Sequence, residues 1–487
     1  MNIILAASEI FPFCKTGGLA DVAGALSQVF SRAKGNKLVV FVPKYRNVGG
    51  GMFSLKAVPG SFNVPVGDRI EQASLFRADW GKATVYFVDC PKYFDRGELY
   101  RTKSGDFQDN DERFIFFSRA VLEGAKFIDF KPDLIHCHDW QTGLIPAYLR
   151  TLYRIDAFFA RTGSMFTIHN MAFQGCFSRE TLFKAGFGWL EFSPDKLEYY
   201  GGINFLKAGI VYADRVNTVS PTYAKEVCAL PEFGRGLEGV LLARGAAFSG
   251  IINGIDTEVW NPETDSFLPR GYEPRSFTKG KIACRKILQE KLGLAPDNTT
   301  PLVGMVSRLE LQKGSDIACA LMPALAEKAQ FAVLGVGDHT VQSAFEGLER
   351  DYPGRIAYSA RHDEEMAHLI YAASDIFLMP SRFEPCGLSQ MIAMRYGTLP
   401  VVVRTGGLAD TVSDAETEPV SGPATGFFAE VATTACVNSA LANALRAYGE
   451  RKLWNEMARN AMRTDFSWDI SAAHYLELFE KIVKLRH

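Results

Sequence analysis

Three charged side chains follow apolar runs, at the strand ends where an open α/β sheet binds its ligands. Arg308 and Lys313 come after the run at 302–306, in SRLELQKG, beside Gly314 and ahead of a helical stretch. Arginine grips an oxygen pair with two N–H groups and lysine acts as a point charge, so two cations in a strand–loop–helix connection suit a diphosphate. Glu384 follows the run at 376–379, in PSRFEPCGL, crowded with Arg382 and Cys386 just before Gly387. A carboxylate facing backbone N–H groups at a helix start fits a polar, phosphate-bearing ligand. A solvated cationic loop and a capped turn are the structural alternatives for these two stretches.

The hexapeptide TGGLAD occurs twice, at 16–21 and 405–410, each time after a basic residue, Lys15 or Arg404. The first copy follows the opening apolar run at 3–7. Gly17 and Gly18 punctuate its loop, and Leu19, Val22, Ala23, Leu26 and Val29 carry a helical period. Strand, glycine loop and helix together cradle a phosphate, with N–H groups aimed at the anion and Lys15 adding charge. Neither copy has the dinucleotide or P-loop pattern, so a tight connection with a solvated lysine is the alternative.

Two more runs end in polar groups: 134–137 leads into His138 and Asp139, and 166–168 into His169 and Asn170. His136 and His138 share one strand face without a third ligand nearby, which argues against zinc. Asp139 suits a substrate hydroxyl. Asp109 and Asp111 form a DxD that could hold a divalent metal. They immediately precede the helical stretch 112–127, where acidic residues stabilise a helix start, and are read as its cap. Tyr93, Phe94, Asp95, Arg96 and Tyr100 form a loop that either contacts sugar or packs on its own domain.

Positioning these groups requires strands at 302–306, 331–335, 355–358, 375–379 and 399–403. Helices near 315–328, 340–350, 363–373 and 387–396 alternate with them, giving a doubly wound parallel sheet. The first half offers strands at 3–7, 38–42, 134–137, 166–168 and 216–219. Short strands or hairpins at 62–66, 70–78 and 83–88 form an insertion between 50 and 90. The polar stretch 253–264 reads as an interdomain linker. Near the end, Ala472, Tyr475, Leu476, Phe479, Ile482 and Val483 share one helix face with no partner strand, so this helix should pack back across the domain boundary.

The chain has 487 residues, 47% hydrophobic and 22% charged, with a net charge of −2, which provides no field for nucleic acid or an anionic membrane. Nine cysteines without a CxxC imply reduced thiols and a cytoplasmic location. The opening MNIILAASEIF lacks the basic segment of a signal peptide, and no apolar run approaches the roughly 20 residues that span a bilayer.

Seven motifs then occur in one order: KTGGLADV (15–22), HDWQTGLIPAYL (138–149), IHN (168–170), INFLKAGIVYADRVNTVSPTYAKE (203–226), INGID (252–256), SRLELQKG (307–314) and PSRFEPCGL (380–388). With them the chain resembles bacterial glycogen synthases and plant starch synthases. The resemblance implies the GT-B fold, two Rossmann-like doubly wound domains facing a deep cleft. Residues 1–252 would form the acceptor-side domain, with the 465–487 helix packed on it, and 253–464 the nucleotide-sugar domain. It implies retaining transfer of glucose from ADP-glucose to the nonreducing 4-hydroxyl of an α-1,4-glucan, with release of ADP; with Asp109 and Asp111 read as a helix cap, no metal or other cofactor is expected.

By the same resemblance Glu384, His169, Lys313 and Arg308 form the catalytic set. Lys15, Gly17, Gly18, Asp21, Asp139, Asn253, Cys386, Gly387, Leu388, Thr405, Gly406 and His362 bind substrate, with Lys15's loop at the glucosyl end and Thr405–Leu408 (405–408) at the diphosphate. Glu384 matches the glutamate of the family's E-x(7)-E-type region, with Gln390 near the second position. The chain departs from the family pattern at His362, where an aromatic usually stacks on the base, and at Phe94, where the family has a tyrosine and Tyr93 is the neighbour. The segment 33–37 lacks the usual Gly-His. Front-face attack through an oxocarbenium-like state is the expected mechanism, with a covalent glucosyl-Glu384 as the alternative. A GT-B transferase using UDP-glucose and a non-catalytic glucan- or nucleotide-binding protein are the rival functions.

Overall fold

Apolar, β-branched runs form parallel strands buried on both faces once helices cover the sheet. A computed structural model describes residues 1–48, 53–102, 104–415 and 423–486 of the chain. Residues 50–52 of the 50–90 insertion, and residue 487, lie outside these. The chain divides into two compact units, Met1–Ile251 with Trp468–His487, and Ile252–Ser467. The sequence-based boundaries lie one and three residues from these points.

In the first unit nine strands form one sheet: β1 (Asn2–Ala6), β2 (Lys37–Pro43), β3 (Lys56–Val66), β4 (Arg69–Trp80), β5 (Ala83–Asp89), β6 (Leu134–His138), β7 (Gly163–Ile168), β8 (Arg215–Thr218) and β9 (Phe248–Gly250). Their spatial order is β9-β8-β7-β6-β1-β2-β5-β4-β3. The chain runs from β1 outward to β2 and β5, then returns to β6 on the other side of β1. The point of reversal lies between β1 and β6. The expected insertion is part of this sheet. β3 and β4 are longer than expected and extend its edge as an antiparallel hairpin.

The second unit has β10 (Leu302–Val306), β11 (Gln330–Leu334), β12 (Ile356–Ser359), β13 (Ile376–Met379), β14 (Leu399–Val403) and β15 (Phe427–Ala429). All are parallel, in the order β12-β11-β10-β13-β14-β15. Here the reversal lies between β10 and β13. It is fixed from below by Asp375, whose Oδ2 accepts the Leu302 N–H at 2.9 Å and pairs with Arg285. Both charged residues are almost fully buried, so losing either partner would leave an unpaired charge inside the unit.

The stretch 253–264 is packed structure rather than a free linker. Trp260 stacks on His368 with ring centroids 4.0 Å apart, and nearby Asp265 accepts from His368 Nδ1 at 2.7 Å.

The terminal helix, Trp468–Arg486, belongs to the first unit. Tyr475, Phe479 and Ile482 are fully buried, and Phe30 meets Phe479 at 5.0 Å and Tyr475 at 5.9 Å. Beneath this apolar stripe runs a polar chain. Asn217 Nδ2 donates to the Tyr475 hydroxyl at 3.1 Å, and Thr167 Oγ1 donates to Asn217 Oδ1 at 2.6 Å. Replacing Tyr475→Phe removes the acceptor while keeping the ring. It should destabilise the protein by about 1–2 kcal/mol, because a buried amide N–H loses its partner. Urea unfolding of the two proteins measures this, and coincident curves would contradict it.

Candidate active site

The loops after β10 and β13 flank the reversal point of the second sheet, where the strands' carboxyl ends open a crevice. Lys313 comes from the first loop and Glu384 from the second. Lys313 Nζ donates to Glu384 Oε2 at 2.6 Å, and Ser381 Oγ donates to the same oxygen at 3.3 Å. The pair is largely withdrawn from water, with side-chain exposures of 18% and 7%. Arg308, Lys313 and Ser381 line a cavity of about 200 Å³ together with Ser307 and Ser389. Arg308 Nη1 donates to Glu310 Oε1 at 2.7 Å, an exposed pairing that costs little to break when an anion competes.

Two features hold these loops in place. Arg382 grips Asp316 through two hydrogen bonds of 2.7 Å and donates to the Leu311 carbonyl at 2.6 Å, tying the Glu384 loop to the Lys313 loop. Gly314 has φ +67, and a Cβ there would lie 2.0 Å from the Pro380 carbonyl oxygen, so only glycine permits the approach.

The second TGGLAD copy presses on the Glu384 loop from the other side. Gly406 has φ +43, with space for a Cβ closed by the Glu384 carbonyl at 2.1 Å, and the Gly407 N–H donates to the Glu384 and Pro385 carbonyls. Thr405 and Gly406 are buried. Through Gly406 and Gly407 the loop packs on the Glu384 stretch and helps to position it. Gln390 is likewise internal: its side-chain amide Nε2 donates to the carbonyls of Cys386 and Gly387 and to Thr411 Oγ1. Gly387 and Leu388 lead into the helix Ser389–Arg395. Burial pushes the Cys386 thiol up to about 12, against the pull of the Asn253 backbone N–H. The Cys386 thiol is therefore protonated at neutral pH. Asn253 is buried beside it. His362 lies in an exposed loop after edge strand β12, two strands from β10, and does not line the cavity.

The first unit repeats the plan around β1 and β6. Glu9, just beyond β1, is buried. It accepts from Thr16 N at 2.5 Å, Thr16 Oγ1 at 2.7 Å and Gly17 N at 3.2 Å. Tyr100 OH lies 2.7 Å from both Glu9 Oε1 and Ser8 Oγ. This carboxylate shapes the KTGG loop, and sequence reasoning missed it. The only signal was an acid directly after the opening apolar run. Gly17 and Gly18 are exposed with open space at their Cβ positions, unlike the packed glycines of the second copy. Lys15 Nζ donates to Asp21 Oδ1 at 2.7 Å, half exposed. Burial raises the Asp21 carboxyl, and Lys15 opposes that.

Asp139, after β6, adopts φ +56, a left-handed backbone outside the usual range for a non-glycine residue. That turn sends its Oδ1 to the His169 backbone N–H at 2.7 Å, so the ends of β6 and β7 are tied together. Burial lifts Asp139 to about 7, while the His169 and Asn170 N–H groups pull it down and Glu9 adds repulsion. Burial also drives the His169 ring down to about 3, leaving it neutral.

Other expected contacts are absorbed by structure. Asp109 makes no side-chain cap: it binds Arg96 through bonds of 2.8 and 2.5 Å, because the guanidinium is the stronger partner. Asp111 accepts from Thr181 Oγ1 and Lys184 Nζ, both at 2.8 Å. Tyr93 and Phe94 are buried, and the Tyr93 hydroxyl lies 3.3 Å from Glu71 and 3.4 Å from Glu112.

Asp139 carries a testable pH dependence. Its folded pKa is raised, so between about 4 and 7 the unfolded chain has lost a proton that the folded protein retains, and stability falls as pH rises through that window. Asp139→Asn keeps an oxygen for the His169 N–H and cannot ionise. Its stability relative to the parent should grow across that window, by at most roughly 1.4 kcal/mol per pH unit. Denaturant unfolding at several pH values measures the difference, and a flat difference would contradict the assignment.

Comparison with known proteins identifies the family. The starch synthase catalytic domain family matches residues 2–243, and the glycosyl transferases group 1 family matches residues 288–461. A glycogen synthase from Elusimicrobium minutum is 54% identical over 483 residues, covering 99% of this chain and 100% of its own. One from Syntrophotalea carbinolica is 44% identical over 489 residues, covering 100% of both. The catalytic domain of starch synthase IV from Arabidopsis thaliana, bound to ADP and acarbose, is 34% identical with a TM-score of 0.91 over 99% of each chain. A sucrose-phosphate synthase from Thermosynechococcus elongatus, 18% identical with a TM-score of 0.61 over 99% of each chain, shares the fold. No helix among the described residues is long and apolar enough to cross a membrane. With both halves of the chain matched, and relatives aligned from end to end, the protein belongs to the glycogen synthase and starch synthase family, glycosyltransferases of the GT-B fold.

Proposed function

We propose that this glycogen synthase uses ADP-glucose as donor and extends the nonreducing 4-hydroxyl of an α-1,4-glucan with retention of configuration. The observation that carries the reading is the Lys313–Glu384 pair beside Arg308, at the reversal point of the second sheet. Departure of ADP builds negative charge on a phosphate oxygen. Fixed cations aimed at that charge are the largest stabilisation such a site can offer. Lys313 is already held by Glu384, so it needs little reorganisation when the diphosphate arrives. Glu384, with one oxygen anchored by Lys313 and Ser381, is oriented to support positive charge on the glucosyl carbon. This arrangement suits front-face attack: a glutamate tied to a lysine is a poorer nucleophile than a free one.

In the first unit, the neutral His169, whose backbone N–H is held by Asp139, offers a contact to a sugar ring. The exposed Lys15-Gly17-Gly18 loop offers a lysine and open backbone to a polar ligand. Asp109 and Asp111 are engaged by Arg96 and Lys184, and the reaction proposed here uses no metal. The nine free cysteines fit a reducing, cytoplasmic setting.

Glucan extension with glycogen as primer, supplied with ADP-glucose or UDP-glucose, tests the donor assignment. Transfer should be faster from ADP-glucose and unchanged by EDTA. A preference for UDP-glucose would overturn the donor, and loss of activity restored by Mg²⁺ would overturn metal independence. Lys313→Ala should lower kcat by roughly 10²–10³, by analogy with removal of an oxyanion donor. Near-parental turnover would remove the diphosphate role.

A further inference from the structure

His138 is fully buried at the end of β6, has no assigned role, and lies against the one histidine the reaction uses. Its Nδ1 is 2.9 Å from His169 Nε2. Burial depresses both rings, so both are neutral, and one must donate while the other accepts.

The surroundings decide which. His138 Nε2 is buried without a hydrogen-bond partner. A bare ring nitrogen tolerates that better than an N–H, since orphaned buried donors are the rarer case. The proton of His138 therefore belongs on Nδ1 and is donated to His169 Nε2. His169 then carries its own proton on Nδ1, which has no partner among the described residues. The neighbouring ring follows the same logic. Asn217 Nδ2 faces the Thr218 carbonyl at 3.4 Å, which orients the amide with its oxygen toward Thr167. The Thr167 hydroxyl proton goes to that oxygen, so His136 donates to Thr167 from Nε2, at 2.7 Å, and leaves its buried Nδ1 bare. The His136 and His138 rings lie 4.1 Å apart between centroids and are tilted by 44°, two neutral rings of opposite tautomer.

We propose that His138 is a positioning residue that holds His169 in its Nδ1–H tautomer, so the site meets the glucosyl group with a hydrogen-bond donor rather than an acceptor. The inference rests on the reading that His169 contacts the sugar. Together with the Asp139 bond to its backbone N–H, the ring contact fixes His169 at two points. The ring then cannot flip without breaking the His138 bond.

The test uses the full-length enzyme with ¹⁵N-labelled histidine; there are eight to resolve. His169 should show a protonated Nδ1 and a bare Nε2. The reverse pattern in the parent protein overturns the proposal without any variant. His138→Asn places an amide N–H near the lost Nδ1–H and should keep kcat within about threefold. His138→Leu should lower kcat by about tenfold, with KM for ADP-glucose changing less, and should lose the His169 signature. A His138→Leu enzyme with parental kcat and an unaltered His169 spectrum overturns this inference alone, provided His169→Ala is impaired. Unimpaired transfer by His169→Ala overturns the reading beneath it, whatever the spectrum shows.

Discussion

The contact between Lys313 and Glu384 joins two loops that are 71 residues apart in sequence. Much of the second unit is arranged so that this contact can form. β10 and β13 must be neighbours, which requires the chain to reverse direction across the sheet. Asp375 and Arg285 secure that reversal at the strands' starts, and Arg382 with Asp316 secures it at their ends. A largely buried ion pair is a weak source of net stability, because desolvation offsets the attraction. Its value here is geometric. It gives each charge a fixed position before a ligand arrives, and preorganisation is what electrostatic catalysis requires.

The first unit reaches a comparable result with neutral groups. Asp139 bends into a left-handed backbone, and burial suppresses the charge on its neighbour His169. A half-buried, uncharged imidazole beside a strained turn can recognise a sugar without attracting counterions. Around β1, the buried Glu9 performs the scaffolding that Lys313's partner performs in the other unit, holding a glycine loop by its N–H groups. The two TGGLAD copies show how context assigns a job to identical residues. In one copy the glycines are bare and exposed. In the other they are the flat surface against which the glutamate loop rests.

The parallel sheets, the strand ends and the residues at those ends were readable from the sequence because apolar runs and turn signals are local. β10 and β14 fall at the positions read from their apolar runs. What the sequence concealed was pairing. Lys313 and Glu384 were each identifiable, but their contact depends on strand order. Glu9 was hidden because a single acid after a strand has no motif. The long β3–β4 hairpin was underestimated because its exposed, polar alternation resembles a loop. Asp111 does accept the Glu112 N–H at the helix start, whereas Asp109 binds Arg96, a partner from another segment that a local reading could not supply. His138 was visible as half of a histidine pair on one strand face. Its relevant partner, His169, lies on the adjacent strand.

The central claim is that Lys313 divides its charge between Glu384 and the donor's diphosphate. Calorimetric titration of ADP into the parent enzyme, Lys313→Ala and Glu384→Gln measures that division directly. The account predicts weaker ADP binding to Lys313→Ala and tighter binding to Glu384→Gln, because neutralising the carboxylate leaves the lysine wholly to the phosphates. Equal affinity in all three proteins, or weaker binding to Glu384→Gln, would contradict it.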